Sequence, residues 1–551
     1  MVLDWYVIGI IVLASSLVLS PFMMSVGQIM LLVVWMLDGI PFREIVGSNK
    51  VKTFFVMLGH NIAYKLRCFV GCRLAVLLVS LYFIHLVGVI YSSDLSYAFH
   101  VLKLRLPLLL LPIIFSTMPA LTRRQADKVF LFFVLSVWVG TMFSFVAYVK
   151  GDYNDIREIS LFISHIRFCL SIVFAVFVVM YYFATTDMLF WQRAVSLLIV
   201  LWFCYILNIF ESLAGYVTLA LSVVVSVLYI LFRYCRSRTV IVVSVSLLSV
   251  AIVSTAVVLF RVMNGLIFPE PVDISALDKT TSRGNAYRHD TIQWGVEDGQ
   301  YVGLYVCMSE LREAWDARSS CPFWGETVSG ESVQATLIRY LASKGLRKDA
   351  DGVAALDDKD RRNIEQGIAN CHYLEDNGIR VRLSKVAFEL SRYIRKNDPN
   401  GGSLSQRVEY TKASLYLIAK NPWFGVGTGD VPDAFKAAYD EMGSPLKHEY
   451  RHRAHNQYLS MAVAFGVLGL TLFLVILFYP YLSSQRYRSY LYTIFLAIIL
   501  LSMLPEDTID SQAGVTLFAF FNALFLFAVP NCYEGPCLRR ITDDIQCKNN
   551  T

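Results

Sequence analysis

Long apolar runs separated by short cationic stretches constrain this chain more than any other feature. Lipid offers no hydrogen-bond partners, so a backbone crossing it must be helical or part of a closed barrel. Twelve runs qualify, near 5–20, 22–38, 74–92, 105–118, 129–149, 168–185, 193–210, 214–232, 239–260, 455–479, 489–505 and 511–530. The first two and the fourth are short. One polar stretch, 262–453, interrupts them. It holds 27 acidic and 25 basic side chains, 27% charged, against 11% for the other 359 residues. With 17% charge overall and a mean hydropathy of +0.53, an ordinary soluble enzyme is excluded. The expected fold is an all-α polytopic membrane protein, with about twelve transmembrane helices and one large, mostly helical aqueous loop. The division is 1–261 for helices one to nine, 262–453 for the loop, 454–530 for helices ten to twelve, and 531–551 for a tail.

Cationic loops stay in the cytoplasm. With the N-terminus inside, the inner segments are 39–73 (Arg43, Lys50, Lys52, Lys65, Arg67, Arg73), Arg123-Arg124, Arg193, Arg233–Arg238, Arg486–Arg488 and the tail with Arg539 and Arg540. The outer side then receives Asp152–Glu158, Glu211, the long block and Glu506-Asp507. Both termini are therefore placed in the cytoplasm, and 262–453 outside. Residues 1–20 lack a basic leader and a cleavage site, so they read as an anchor. Cys307, Cys321 and Cys371 lie in the outer block, where a disulfide is permitted but three leave one over. Cys532, Cys537 and Cys547 read as free thiols.

Within the block, the chain to about Asn285 is turn-rich, and Tyr301–Cys307 is a short apolar run. Helical patterns follow at 331–341, 358–366 and 381–395, with a break at Asp398-Pro-Asn-Gly-Gly402. A helix over 405–420 is stopped by Asn421-Pro422, and another is expected at 432–442. Asp358-Lys-Asp360 reads as a solvated face.

The densest constellation is 448–456. On a helix, His448, His452 and His455 would share a face. Three readings are open. A zinc site is opposed by Arg451 and Arg453. A polar cap on a membrane helix is the plain alternative. The third is an anion site at a helix N-terminus, whose positive end keeps His455 neutral and able to act as a base. Arg407 opens the helix before Asn421-Pro422, and Arg167 opens the sixth span, on the same outer face. Together with a histidine they suit a diphosphate, which arginine binds bidentately. Gly425-Val-Gly-Thr-Gly429 has no Walker lysine and reads as a tight turn rather than a nucleotide cradle. Glu506 and Asp507 read as caps.

Asn421-Pro-Trp-Phe-Gly-Val-Gly-Thr-Gly-Asp430, then His455-Asn-Gln-Tyr-Leu459 and Ala464–Leu470, resembles the bacterial O-antigen ligase superfamily, which includes O-antigen ligases, O-antigen polymerases and protein O-oligosaccharyltransferases. The long insert, with Ala342–Asp349, resembles Bacteroidetes-type sequences. The resemblance implies a GT-C-like glycosyltransferase architecture in the bacterial inner membrane, with 262–453 in the periplasm. It implies transfer of a glycan from undecaprenyl diphosphate to a hydroxyl acceptor, lipid A-core for a ligase, with no metal, cofactor, nucleotide or nucleic acid. Arg407 matches the family's arginine before the Asn-Pro turn, and His455 its loop histidine. A second family arginine falls at a Ser-Arg-x-Gly corner; here the corner is Ser212-Leu-Ala-Gly215, preceded by Glu211. Arg167 is the substitute on topology, with Arg453 and Arg451 as further diphosphate contacts. His455 would act as base with inversion of the anomeric centre.

Three rivals stand beside the ligase. A polymerase of the same superfamily takes a second lipid-linked repeat as acceptor. A transporter or flippase suits twelve spans, but would gather polar groups at mid-membrane, where His85 is one of few. A scaffold role leaves the clustering of His455 with arginines unexplained.

Overall fold

A computed structural model describes residues 2–40, 50–151, 153, 156–375 and 378–529. The tail 531–551, with its three cysteines and Arg539 and Arg540, lies outside the described residues, as do Arg43 and Asp152. The protein is mostly helical and divides into two compact units. The first comprises Met1–Val245, Thr411–Asp440 and His452–Thr551, and the second Ser246–Tyr410 and Glu441–Arg451.

Eight helices are long and apolar enough to cross a membrane: Arg73–Ile90, Leu95–Thr117, Arg123–Lys150, His165–Thr185, Phe190–Ile209, Leu213–Tyr234, Arg238–Ile267 and Gln457–Ser483. Four shorter apolar helices, Leu3–Leu19, Pro21–Leu37, Tyr490–Ser502 and Gln512–Ala528, fall on the remaining expected runs. In the first unit, Phe521 centres an aromatic core. Its ring lies 5.1 Å from Phe133, 4.9 Å from Phe174 and 5.1 Å from Phe495, drawing three helices onto a fourth.

Two expectations need correction here. The fourth apolar run starts earlier than 105, as two helices, Leu95–Leu104 and Leu106–Thr117, that meet at Arg105. Pro107, with no N–H of its own, suits the start of the second helix. Arg105 is thereby 7% exposed, inside the unit rather than at a boundary. The expected inner loop 39–73 is largely a helix, Lys50–Gly71. Lys65 on it is buried and donates to Trp35 O at 2.7 Å and to Asp38 at 3.0 Å.

The second unit has its own core, in which Trp315, Phe323, Leu337 and Tyr340 pack with Val302 and Ile364. The helices Val333–Ser343, Asp358–Glu365, Gly378–Lys396 and Ser403–Lys420 occupy the expected segments. Two short antiparallel pairs, Arg288–Asp290 with Gly303–Val306 and Val296–Glu297 with Gln300–Tyr301, were not expected. Asp298 and Gly299, both at positive φ, turn the second pair, as Asp-Gly does in tight hairpins. The solvated-face reading of 358–360 fails for Asp360. It is 5% exposed and accepts from Tyr340 at 2.7 Å and Lys344 at 2.5 Å. Cys307, Cys321 and Cys371 are all unbridged.

Candidate active site

The chain reaches the helix Gln457–Ser483 through an irregular segment. His448 sits in a 3-10 turn, and the helix begins only after the N-cap Asn456. The three histidines therefore do not share a helical face, and no metal-holding cluster of His, Cys, Asp or Glu occurs among the described residues. His455, one residue before the cap, takes a φ of +47°. That left-handed conformation is strained for a side chain with a Cβ.

Its position is fixed by the loop after Tyr490–Ser502. Asn456 Oδ1 accepts from Leu459 N at 3.0 Å, and its Nδ2 donates to Leu504 O at 2.9 Å. Gln457 N donates to Met503 O at 2.9 Å, and Gln457 Oε1 accepts from Ile509 N at 2.9 Å. Tyr458 OH donates to Leu500 O at 3.0 Å. This clasp sets Glu506 Oε2 3.5 Å from His455 Nδ1.

A cavity of about 460 Å³ opens here, lined by Arg157, Ser164, His165, Arg167, Arg453, His455, Glu506, Asp507 and Asp510 among others. Its lining includes the N-terminal end of the helix that begins at His165, and His455 and Asp510, which precede the caps of the helices that begin at Gln457 and Gln512. Helix N-termini carry partial positive charge and favour anions. Arg167 donates from Nη1 to Ser164 Oγ at 2.8 Å and from Nη2 to Asp507 O at 3.3 Å. Its Nε is buried with no partner among the described residues. Arg453 Nη1 donates to Asp510 Oδ2 at 3.1 Å and to Tyr97 OH at 2.9 Å. The other carboxylate oxygen of Asp510 accepts from Arg105 Nη2 at 2.5 Å.

Burial pushes the Asp507 carboxyl up to about 6, and nearby Asp510 adds to the rise; the hydrogen bond from Ser460, 2.6 Å away, opposes it. Burial works against the charge of Arg453, but Asp510 and Tyr97 outweigh it and hold the guanidinium above its ordinary value. Burial lowers His452, and the neighbouring His455 and Arg453 lower it further.

The glycine motif is a brace for the helix that bears this site. Val426 N and Gly427 N donate to Val463 O and Ala464 O at 2.9 Å each, and Val467 N donates to Pro422 O at 2.8 Å. Those carbonyls are freed because Gly466 breaks the helix at φ +65° and ψ −166°. A Cβ on Gly466 would lie 2.2 Å from Trp423 C, and one on Gly425 2.4 Å from Ala464 C, so only glycine permits the crossing. Asp430 then accepts from Ser93 N and Asp94 N at 2.8 and 2.9 Å, tying the motif to the start of Leu95–Leu104.

Residues 372–474 match the family model described as O-Antigen ligase. The match covers 103 of the 551 residues. Members of that family are glycosyltransferase-like enzymes, ligases or polymerases, and the match supports the O-antigen ligase superfamily. No curated protein matches the chain. The matched segment includes the glycine motif, Arg407, Arg451, Arg453 and His455. It stops short of Arg167 and of the 506–510 acids, which the fold supplies.

Arg167, Arg453 and His455 thus line one cavity. Arg407 and Arg451 belong to the other unit. Arg407 is half-buried on Ser403–Lys420, one turn from Tyr410, whose OH donates to Tyr450 O at 2.8 Å. Arg451 Nε donates to Leu446 O at 3.0 Å. The reading of Glu506 and Asp507 as caps is corrected. Glu506 faces the His455 imidazole, and Asp507 is 6% exposed. Arg157, Asp510, Arg105 and Tyr97 were missed. The available signal was a cluster of three acids, Glu506, Asp507 and Asp510, between two apolar runs, opposite an arginine inside a third.

Proposed function

We propose that the protein transfers a glycan from undecaprenyl diphosphate to a hydroxyl acceptor at the periplasmic face of the inner membrane, as an O-antigen ligase acting on lipid A-core. Residues 262–453 form the periplasmic loop, and both termini are cytoplasmic. The observation that carries this reading is one cavity lined by His455 with Glu506 at its Nδ1 and by Arg167 and Arg453.

In the proposed step, His455 Nε2 takes the proton of the acceptor hydroxyl while Glu506 steadies Nδ1–H and the imidazolium that forms. The acceptor oxygen bonds to the anomeric carbon as the bond to the diphosphate oxygen breaks, so the centre inverts. Negative charge grows on the departing diphosphate. Arg167 and Arg453 stabilise that charge more in the transition state than in the ground state; Arg407 and Arg451 are assigned the same role on the family resemblance alone. Side-chain cations and helix ends do this work, with no metal in the step. The aliphatic carrier lies along the apolar spans, and the loop covers glycan.

Purified protein given undecaprenyl-diphosphate glycan and lipid A-core, in chelator, should form capped lipid A-core, and His455→Ala should lower the rate by about 10²–10⁴-fold. Elongated carrier-linked glycan without capping would instead mark a polymerase. Counterflow of the lipid-linked glycan with no transfer would mark a transporter. An unchanged rate in His455→Ala sinks the role given to the imidazole.

A further inference from the structure

The helix Lys50–Gly71 is not one of the eight that can span a membrane, yet it turns apolar side chains outward. Val51, Phe55 and Val70 are 71%, 62% and 68% exposed, and Leu66 is exposed with them. At 3.6 residues per turn these four fall within an arc of about 100°. Lys52 lies at the edge of that arc, and Arg67 and His60 on the flank beyond it, all exposed. Residues 50–73 hold Lys50, Lys52, Lys65, Arg67 and Arg73, and no Asp or Glu.

Another face of the helix fixes it across the ends of its neighbours. Asn61 Nδ2 donates to Met36 O at 2.9 Å and to Asp38 O at 2.8 Å. Lys65, one turn on, donates to Trp35 O as described above. Trp35 O and Met36 O are among the carbonyls that the end of Pro21–Leu37 leaves free. Lys65 Nζ also lies 3.5 Å from the sulfur of Met118, the C-cap of Leu106–Thr117. Arg73–Ile90 begins two residues after Gly71. The helix therefore crosses where two apolar helices end and a third begins, which is where spans meet the membrane–water boundary.

An exposed apolar strip flanked by cations suits a helix lying in the plane of that boundary. A second copy packed on the same strip would bring Lys52, Arg67 and Arg73 against their own kind, with no acid on the segment to offset them. Anionic headgroups match the charge, and acyl chains match the strip.

We propose that Lys50–Gly71 is an in-plane membrane helix that recognises anionic phospholipid. Val51, Phe55, Leu66 and Val70 enter the acyl region, while Lys52, Arg67 and Arg73 gather the phosphate headgroups. The hydrogen bonds from Asn61 and Lys65 hold the strip at that depth. The proposed topology places this surface at the cytoplasmic leaflet.

The test reads lipid contact rather than transfer, so its failure leaves the glycosyltransferase reading standing. The full chain is reconstituted in vesicles of phosphatidylcholine with a minority of phosphatidylglycerol. The photo-crosslinker p-benzoylphenylalanine replaces Phe55, Val70 or His60 in turn. Mass spectrometry of the adducts should show acyl-chain attachment at 55 and 70 several-fold above that at 60. Phosphatidylglycerol should be enriched among the adducts several-fold over its share of the vesicle. The triple variant Lys52→Gln, Arg67→Gln, Arg73→Gln should lose that enrichment and keep the acyl adducts. Adducts to a second copy of the chain, or acyl attachment no greater at 55 and 70 than at 60, overturn the in-plane surface. Adducts that mirror the vesicle composition overturn the anionic preference. If the triple variant is not recovered in vesicles, the adducts of the chain with its native cations decide alone.

Discussion

Two buried clusters of arginine and carboxylate in this molecule are built on opposite principles. In the second unit, Arg339 meets Glu297 in a two-pronged pair at 2.8 and 3.0 Å, with its guanidinium 4.0 Å over the Phe388 ring. Asn370 and Tyr373 donate to the same carboxylate at 3.0 and 3.1 Å. Burial opposes the charge of Arg339, but Glu297 more than compensates and holds it above its ordinary value. At the 460 Å³ cavity the geometry is looser. Arg167 keeps a buried Nε without a partner among the described residues, the Glu506–His455 approach is 3.5 Å, and Asp507 is raised rather than lowered. A closed pair holds a fold together; an open one keeps hydrogen-bonding capacity for something that arrives later.

Substitutions at the two clusters should separate cleanly. The largest expected effect is on rate. His455→Gly should lower glycan transfer by about 10²–10⁴-fold. Stability should stay level or rise by up to about 1 kcal/mol, because glycine adopts the observed φ of +47° without strain. Thermal unfolding alongside the transfer assay reads both, and a clear loss of stability would argue that His455 is structural. Arg339→Met should do the reverse. It strands Glu297 in the interior and should destabilise by about 3–5 kcal/mol. Intrinsic fluorescence should register that loss, since Trp315 sits in the same unit's core. A melting point like that of the native chain would mean the pair is not the closed device described above.

The contrast also explains what could be foreseen from residues alone. The twelve apolar runs and the loop helices follow from composition and periodicity, which are local properties. His455 and Arg453 were legible because they flank a span, and Arg167 because charge topology placed it on the same face. Asp510, Arg105 and Tyr97 were not. Arg105 was assigned to the edge of a span, since nothing local shows that Leu95–Thr117 is one apolar span bent at that residue. The acids at 506–510 looked like caps because only a long-range clasp, Gln457 to Met503 and Ile509, turns them toward the imidazole. Asp360 misled in the same way: a charged triplet reads as solvated until Tyr340 and Lys344 close over one member.

Asp507 gives a pH test of the open cluster. Its carboxyl is raised from 3.8 to about 6, so the folded protein holds a proton that the unfolded chain has already released. Between those two values, stability contributed at this position falls as pH rises, and the cost of the buried charge is fully present above about 6. Asp507→Asn keeps the shape and removes the titration. It should flatten that part of the melting-temperature profile and gain about 3 kcal/mol on the alkaline side, the order expected for two pKa steps at about 1.4 kcal/mol each. If the native profile is already flat between those values, or the variant loses stability above them, Asp507 is ionised and held by a cation rather than raised by burial.

The smallest effect asks whether the clasp itself is ordinary helix architecture. Asn456 caps the helix at Leu459 N and also holds Leu504 O. Asn456→Ser keeps a capping oxygen but drops the donor to Leu504, whereas Asn456→Ala loses both. The cap alone is worth about 1 kcal/mol, so the alanine variant should melt lower than the serine variant by about that amount. Transfer should follow a different order, because Glu506 lies two residues beyond Leu504. If the loop held by Asn456 Nδ2 sets the Glu506–His455 approach, both variants should slow transfer alike despite their unequal stabilities. A serine variant with native rate would leave the orientation of the imidazole to Gln457 and its bonds to Met503 and Ile509.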